Sequence, residues 1–414
     1  MTPNPGDRVR VERAGVADEG VLMPSSDADH LVLKLDGGYN VGVDRDAAAV
    51  ELLERDARDV GEDERSESSK RARSDTTREH PGEGDDDASA VEFDDDLPTV
   101  ALISTGGTIA STVDYRTGAV TARFDAEDVL RAVPDLAGRA NYRGRVVANI
   151  LSENMEPRVW RDLAEAVREE VEAGDTPVPV VFTGSQRSAD RPSSDNVMNA
   201  VCAVEAAKSD CSEVLVCMHA TPSDDHCALH RGTRVRKNHT SRRDAFETVG
   251  ARPLGRVTYG DEVAVEFRAD TPYARRGDGD LALAPDLADD VELVKFTPGM
   301  DPAALGYLDG KSGVVIEGTG LGHVHTDLIP RLEALVDDGT TVVMTSQCLE
   351  GRVCDRVYDT GRDLLEAGVV EAGDTLPGTA TVKLMWALAN VADPADAMGR
   401  NLAGELTAES RPWG

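Results

Sequence analysis

Aromatic residues are scarce in this 414-residue sequence, at 4%, and only seven lysines stand beside 37 arginines. A core built with so few large rings must rely on Val, Leu, Ala and Ile. Six cysteines, none in a C-x-x-C pair, are too few for a disulfide framework in a chain of this length. No stretch has the length and apolarity of a membrane span, and nothing at the amino terminus resembles a signal peptide, so a cytoplasmic protein is expected. Positive charge is in deficit too. The formal net charge of -33 repels a phosphate backbone unless a local basic patch or a partner intervenes. Acidic residues spread along the whole chain are the balance expected of a protein kept soluble in concentrated intracellular salt.

Residues 1–50 read as a small β-rich accessory domain, barrel-like, with alternation at Val9 and Val11, at Leu31, Leu33 and Leu35, and at Val41 and Val43. From Val60 to Asp96 the texture changes. That span holds 14 acidic and five basic residues and only Val60, Val91 and Phe93 as large apolar groups, which cannot offset the entropy of ordering, so 51–96 is expected to be a solvated linker. Its DDD runs belong to that composition and enforce no metal geometry.

From residue 97 apolar runs alternate with helical patterns. PTVALIS, GRVVANI, VPVVFTG and EVLVCMHA read as strands, and Val159, Trp160, Leu163, Val167 and Val171 space a helix over Pro157–Ala173. ADDVELVKFT marks a junction near residue 291, after which KFTPGMDPAAL, SGVVIEGTG, TDLIPRLEALVDDG and TTVVMTSQ repeat strand and helix. Two α/β domains, 97–290 and 291–414, with mostly parallel sheets covered on both faces are therefore expected, and the ligand crevice should lie beyond the carboxyl ends of the strands.

Small polar loops fall at those ends. Thr105-Gly106-Gly107-Thr108 follows a buried strand, where glycines permit a tight turn with exposed N–H groups and bring the Thr108 hydroxyl to the crevice floor. It is neither a dinucleotide fingerprint nor a phosphate loop. Tyr115 could lay a phenol over the pocket, and Ser152-Glu153-Asn154-Met155 is a polar strand exit before a helix. Residues 231–240, RGTRVRKNHT, form a basic island in an acidic chain. Lys237 within it is expected in the low-dielectric crevice, where burial would depress its pKa and fit it to accept a proton from a hydroxyl; the alternative is a surface patch paired with carboxylates. His226-Cys227-x-x-His230 has a possible metal spacing but no second ligand pair, and local packing is the better reading.

STGGTIAS, VDYRTGAV, ILSENM, FTGSQRSADRPSSD, HRGTRVRKNHTSRRDAF and LPGTATVKLMWAL occur in this order and together resemble the asparaginase/glutaminase family. Within it, the β-rich amino-terminal domain resembles the archaeal glutamyl-tRNA(Gln) amidotransferase D subunits rather than free asparaginases. The resemblance implies an asparaginase-like two-domain α/β fold and an ammonia-releasing half-reaction on glutamine. It implies that Thr108 is the nucleophile, Tyr115 the loop tyrosine that assists it, Ser152 the serine holding the substrate carboxylate, and Lys237 the lysine of a Thr-Lys-Asp relay. Glu153 stands where plain asparaginases usually carry glutamine. It further implies a partner, the amidotransferase E subunit, that binds Glu-tRNA(Gln) and uses ATP, with Mg at that partner, and self-association of the asparaginase-like core. No cofactor or metal is expected on this chain.

One departure from the family pattern stands out. No HGTDT, HGTD or TGTD string occurs, and EEVEAGD runs directly into TPVPVVFTG, so one internal βα unit with its threonine and aspartate is missing. The readings that compete with the amidotransferase role are a stand-alone L-asparaginase and a structural subunit that has lost its relay.

Overall fold

The computed structural model describes residues 3–13, 16–23, 30–36, 40–46, 48–55, 57, 94–107, 109, 111–113, 120–122, 133–173, 178–188, 191, 193–260, 262–278 and 284–409. Thr108, Tyr115, most of the expected acidic linker and the 174–177 junction lie outside them.

The chain divides into two compact units. The first comprises Met1–Thr99, Ser104–Ser152 and Gly184–Val197. Its amino-terminal part is a five-stranded antiparallel sheet of β1 (Arg8–Arg13), β2 (Val16–Met23), β3 (His30–Leu35), β4 (Asn40–Asp44) and β5 (Ala49–Glu54), in the order β4-β3-β2-β1-β5. The two-residue period of a strand places Val9, Val11, Leu22, Leu31, Leu33 and Val43 together in one core. Gly20 is required there, because a Cβ on it would stand 2.5 Å from the Lys34 carbonyl oxygen on the neighbouring strand. The same unit holds the carboxyl end of β6 (Thr99–Gly106), the hairpin β7 (Ser111–Val113) and β8 (Val120–Ala122), and β9 (Asn141–Ile150).

The second unit, Val100–Ile103, Glu153–Thr183 and Met198–Gly414, carries two sheets. Helix α1 (Pro157–Ala173) has the bounds that its apolar spacing predicts. It is followed by β10 (Val180–Phe182), α2 (Asn196–Ala207), β11 (Val214–His219), β12 (His226–Arg231), the small hairpin β13 (Val235–Lys237) and β14 (Phe246–Thr248), β15 (Gly255–Thr258) and β16 (Ala264–Phe267). The sheet order is β10-β11-β12-β15-β16. Met198, Cys202, Ala203 and Ala206 of α2 pack on Cys217, Cys227, Leu229 and Val257, so these cysteines serve as small apolar core residues. The expectation of a mostly parallel sheet is corrected here. Only β10 and β11 run parallel, and the pairings of β11 with β12, β12 with β15, and β15 with β16 are antiparallel. Short turns at 220–225 and 259–263 leave no room for crossover helices, which parallel neighbours need.

The carboxyl-terminal sheet does follow the expectation. Strands β17 (Val291–Lys295), β18 (Gly313–Gly318), β19 (Thr341–Ser346) and β20 (Val370–Glu371) are all parallel, with α3 (Ile329–Asp337), α4 (Asp359–Glu366), α5 (Pro377–Asn390) and α6 (Pro394–Met398) in the connections and after them. Alternate residues of β18 and β19 point to opposite faces. Val314, Ile316, Val342 and Met344 pack with Leu332, Leu335 and Leu364, whereas Val315 and Val343 pack with Ala380, Leu384 and Met398. The helix expected after KFTPGM is a 3₁₀ segment, Pro302–Leu308, capped by the Asp301 side chain accepting from the Ala303 N–H.

No helix among the described residues is long and apolar enough to cross a membrane.

Candidate active site

The end of β6 is built for close backbone approach. Gly106 and Gly107 both have positive φ, 93° and 84°, a region that L side chains rarely occupy. A Cβ at Gly106 would also stand 2.7 Å from the backbone N and O of Ile150. The Ser104 hydroxyl accepts from the Gly106 N–H at 3.3 Å. Two successive glycines at positive φ give the backbone just before Thr108 a conformation that L side chains rarely adopt.

Two residues beyond Ile150, Ser152 opens a single 3₁₀ turn, Ser152–Asn154, at the exit of β9. Ser152 and Glu153 are both exposed, with side chains available to a polar ligand.

The Gly184–Val197 segment of the same unit is organised around Asp195, which is fully buried. Its carboxylate accepts from the Gln186 N–H at 2.9 Å, the Arg187 N–H at 2.9 Å and the Ser185 hydroxyl at 3.3 Å. Ser194 donates to the Arg187 carbonyl at 2.8 Å. Next in the chain, Asn196 donates from Nδ2 to the Ile109 carbonyl at 3.3 Å. The loop after β10 and the turn after β6 are therefore tied through adjacent residues. Asp195 and Asn196 were not singled out from the sequence. A polar Ser-Ser-Asp-Asn cluster just before the apolar run of α2 is the available signal, since such residues favour helix starts.

Lys237, in the second unit, ends β13 opposite Phe246 of β14. It is exposed, which corrects the expectation of a crevice-buried amine; the hairpin is too short to cover its side chain. No ion pair engages it among the described residues. Several arginines of the island and of the segment after it are paired with carboxylates, in line with the surface-patch alternative. Arg231 meets Glu213 at 2.6 Å, Arg243 meets Asp224 at 2.5 Å, and Arg242 pairs with Asp244. The Arg242 guanidinium, through its hydrogen bond, holds the Asp244 carboxyl below the usual range.

His226, Cys227 and His230 do not converge on a common ligand. The Cys227 thiol points to Asn199 Oδ1 at 3.4 Å and His230 Nδ1 lies 2.8 Å from the Thr248 hydroxyl. Burial pushes His230 down to about 4, so it is neutral at physiological pH. Among the described residues no group of three or more His, Cys, Asp or Glu could hold a metal ion.

Sequence profiles of known families match nearly all of this architecture. The GatD N-terminal domain profile matches residues 3–53, the asparaginase N-terminal profile matches 99–176 and 173–272, and the glutaminase/asparaginase C-terminal domain profile matches 290–398. The glutamyl-tRNA(Gln) amidotransferase D subunit of Halobacterium salinarum is 66% identical over the full length of both chains. The D subunit of the same enzyme from Methanosarcina acetivorans is 47% identical over 97% of this chain and 98% of its own. Among solved structures, the thermostable L-asparaginase of Thermococcus kodakarensis superposes with a TM-score of 0.64 at 28% identity, covering 75% of this chain and all of that one. The N-terminal asparaginase profile matches in two pieces that overlap at 173–176, between α1 and β10 in the sequence. From the positive-φ glycine turn to the parallel carboxyl-terminal sheet, and on the strength of full-length identity, the chain belongs to the family of glutamyl-tRNA(Gln) amidotransferase D subunits.

Proposed function

We propose that this chain is the ammonia-supplying glutaminase component of a tRNA-dependent amidotransferase that converts Glu-tRNA(Gln) to Gln-tRNA(Gln). The single observation that carries this reading is the full-length match, at 66% identity, to the Halobacterium D subunit, which includes the amino-terminal sheet domain as well as the asparaginase-like core. The alternative of a stand-alone L-asparaginase has no use for residues 3–53.

In the proposed reaction the Thr108 hydroxyl attacks the side-chain amide carbon of glutamine. The C–N bond breaks, ammonia departs with the proton, and a glutamyl ester on Thr108 is then hydrolysed by water to glutamate. Backbone N–H groups of the TGGT segment support the oxyanion. Tyr115 assists the hydroxyl, Ser152 donates to the substrate carboxylate, and the Glu153 carboxylate suits the substrate's ammonium group. Lys237 is the proton acceptor. An exposed amine fills this role only where bound substrate or a partner withdraws it from water.

Activation of the glutamyl carboxylate by ATP, with Mg, and most tRNA binding belong to the partner, the amidotransferase E subunit. The asparaginase-like core is also proposed to self-associate. The test is co-expression with the E subunit, copurification, and ammonia release from glutamine by the pair and by a Thr108→Ala pair. Thr108-dependent release supports the proposal, and equal release by both pairs overturns the nucleophile assignment.

A second reading has its own support. The alignment to the Halobacterium relative spans 445 positions against 414 residues here, a difference of 31, and the profile break at 173–176 coincides with the absent HGTDT. A chain whose relay is impaired accounts for both.

A further inference from the structure

Asn196 is fully buried at the start of α2, and its two amide atoms are used unequally. Nδ2 donates to the Ile109 carbonyl at 3.3 Å, whereas Oδ1 has no hydrogen-bond partner. A buried acceptor left without a donor is unfavourable, because it has lost water and gained nothing in return. At a position that served packing alone, an apolar side chain of similar volume would avoid that cost, so the polarity of Asn196 is explained by the one contact its side chain makes. That contact is to the carbonyl of Ile109, the residue that follows Thr108 in the chain.

The scaffold behind Asn196 is rigid. Asp195 is held by three donors from Ser185, Gln186 and Arg187, and Ser194 supports Asn196 by accepting from its backbone N–H at 3.2 Å. These bonds fix the backbone from which the Asn196 amide projects. On the other side, Gly106 lies so close to Ile150 that a Cβ would stand 2.7 Å from its backbone N and O, and its N–H donates to the Ser104 hydroxyl at 3.3 Å.

We propose that Asn196 is a positioning residue for the nucleophile, fixing the Ile109 peptide so that the preceding threonine is presented in one orientation. The proposal rests on the Thr108 reading above. A nucleophile displaced by about 1 Å can lose on the order of 100-fold in rate without any change in substrate affinity.

The test uses the full chain in complex with its E partner and compares Asn196→Ala, Asn196→Leu and Thr108→Ala with the unaltered protein. Asn196→Ala removes the donor and the orphaned acceptor together without adding charge or bulk to the interior, so this variant folds if Asn196→Leu does not. Amide hydrogen exchange of the peptide spanning residues 105–111 should quicken at least about tenfold in both Asn196 variants, with the peptide spanning 141–150 unchanged. Ammonia release should fall at least about tenfold in kcat with KM within about threefold. Unchanged exchange at 105–111 overturns the proposal whatever the activity. Faster exchange with full activity also overturns it, since the pin would then be catalytically irrelevant. Normal release by Thr108→Ala, with faster exchange in the Asn196 variants, would sink the nucleophile reading and leave the pin standing.

Discussion

Arg234 and Asp374 form a buried ion pair at 3.1 Å, with side chains only 2% and 3% exposed. Arg234 also donates to the carbonyl oxygens of Gly404 and Asp374, and the Thr407 N–H and hydroxyl both donate to Asp374. The turn before β13 is in this way fastened to the segment after β20 and to the chain's last described stretch. Removing one member of such a pair strands a charge in the interior, which costs about 3–5 kcal/mol. Asp374→Ala should therefore lower unfolding stability by about that amount, as read by denaturant titration at constant high salt. A loss below about 1 kcal/mol would show that water or a neighbouring group takes over the guanidinium.

A second buried pair, Lys383 with Glu405 at 2.7 Å, holds the same terminal segment. Burial alone would raise the Glu405 pKa, but the hydrogen bond from Lys383 and the N–H groups of Leu402 and Ala403 outweigh it, and the net shift is downward. A carboxyl whose folded pKa lies below its unfolded value contributes stability above the unfolded value, and that contribution is lost as pH falls through the folded one. Acid unfolding should thus steepen below the ordinary glutamate range, and Glu405→Gln should flatten that limb while lowering stability at neutral pH. The same acid slope in both proteins would assign it to other carboxylates.

Insertion of a strand, HGTDT motif and helix of the family pattern between residues 173 and 178 should raise glutaminase turnover of the complex at least about 100-fold, because relay members act together in the transition state. Ammonia release would be compared for the two chains and for Thr108→Ala in each. Equal, Thr108-dependent turnover would mean that another residue completes the relay.

With net charge -33, the isolated chain should bind Glu-tRNA(Gln) weakly at intracellular-like salt, most affinity appearing only with the E subunit. Arg236→Ala, an exposed arginine, should weaken binding by the complex only modestly and should reduce its salt dependence. Tight, specific binding by the chain alone would reverse the assignment of roles.

The strands of the carboxyl-terminal sheet were legible because apolar β-branched runs such as VVIEG and TVVMTS have few other fates, and α1 followed directly from the spacing of Val159, Leu163 and Val167. Strand direction was not legible. CALHR, in β12, has the same composition whether its neighbours run with it or against it, and only the length of the intervening turns decides. The basic island misled for a related reason. Arg234 and Lys237, three positions apart, look alike in sequence, yet Arg234 is buried against Asp374 and Lys237 is exposed, because the buried carboxylate comes from 140 residues away. Asn196 was hidden by the same distance, as its partner Ile109 lies 87 residues earlier.

Among the described strands, β10 is hydrogen-bonded to β11 on one side and to none on the other, and its last residue, Phe182, is 42% exposed. Such an apolar margin can template pairing between molecules. What opposes this is the repulsion between chains carrying charge -33 each, and that repulsion weakens as salt is added. Colloidal behaviour should then have an optimum: enough salt to relieve repulsion within the fold, and not so much that neighbouring copies meet along Val180–Phe182.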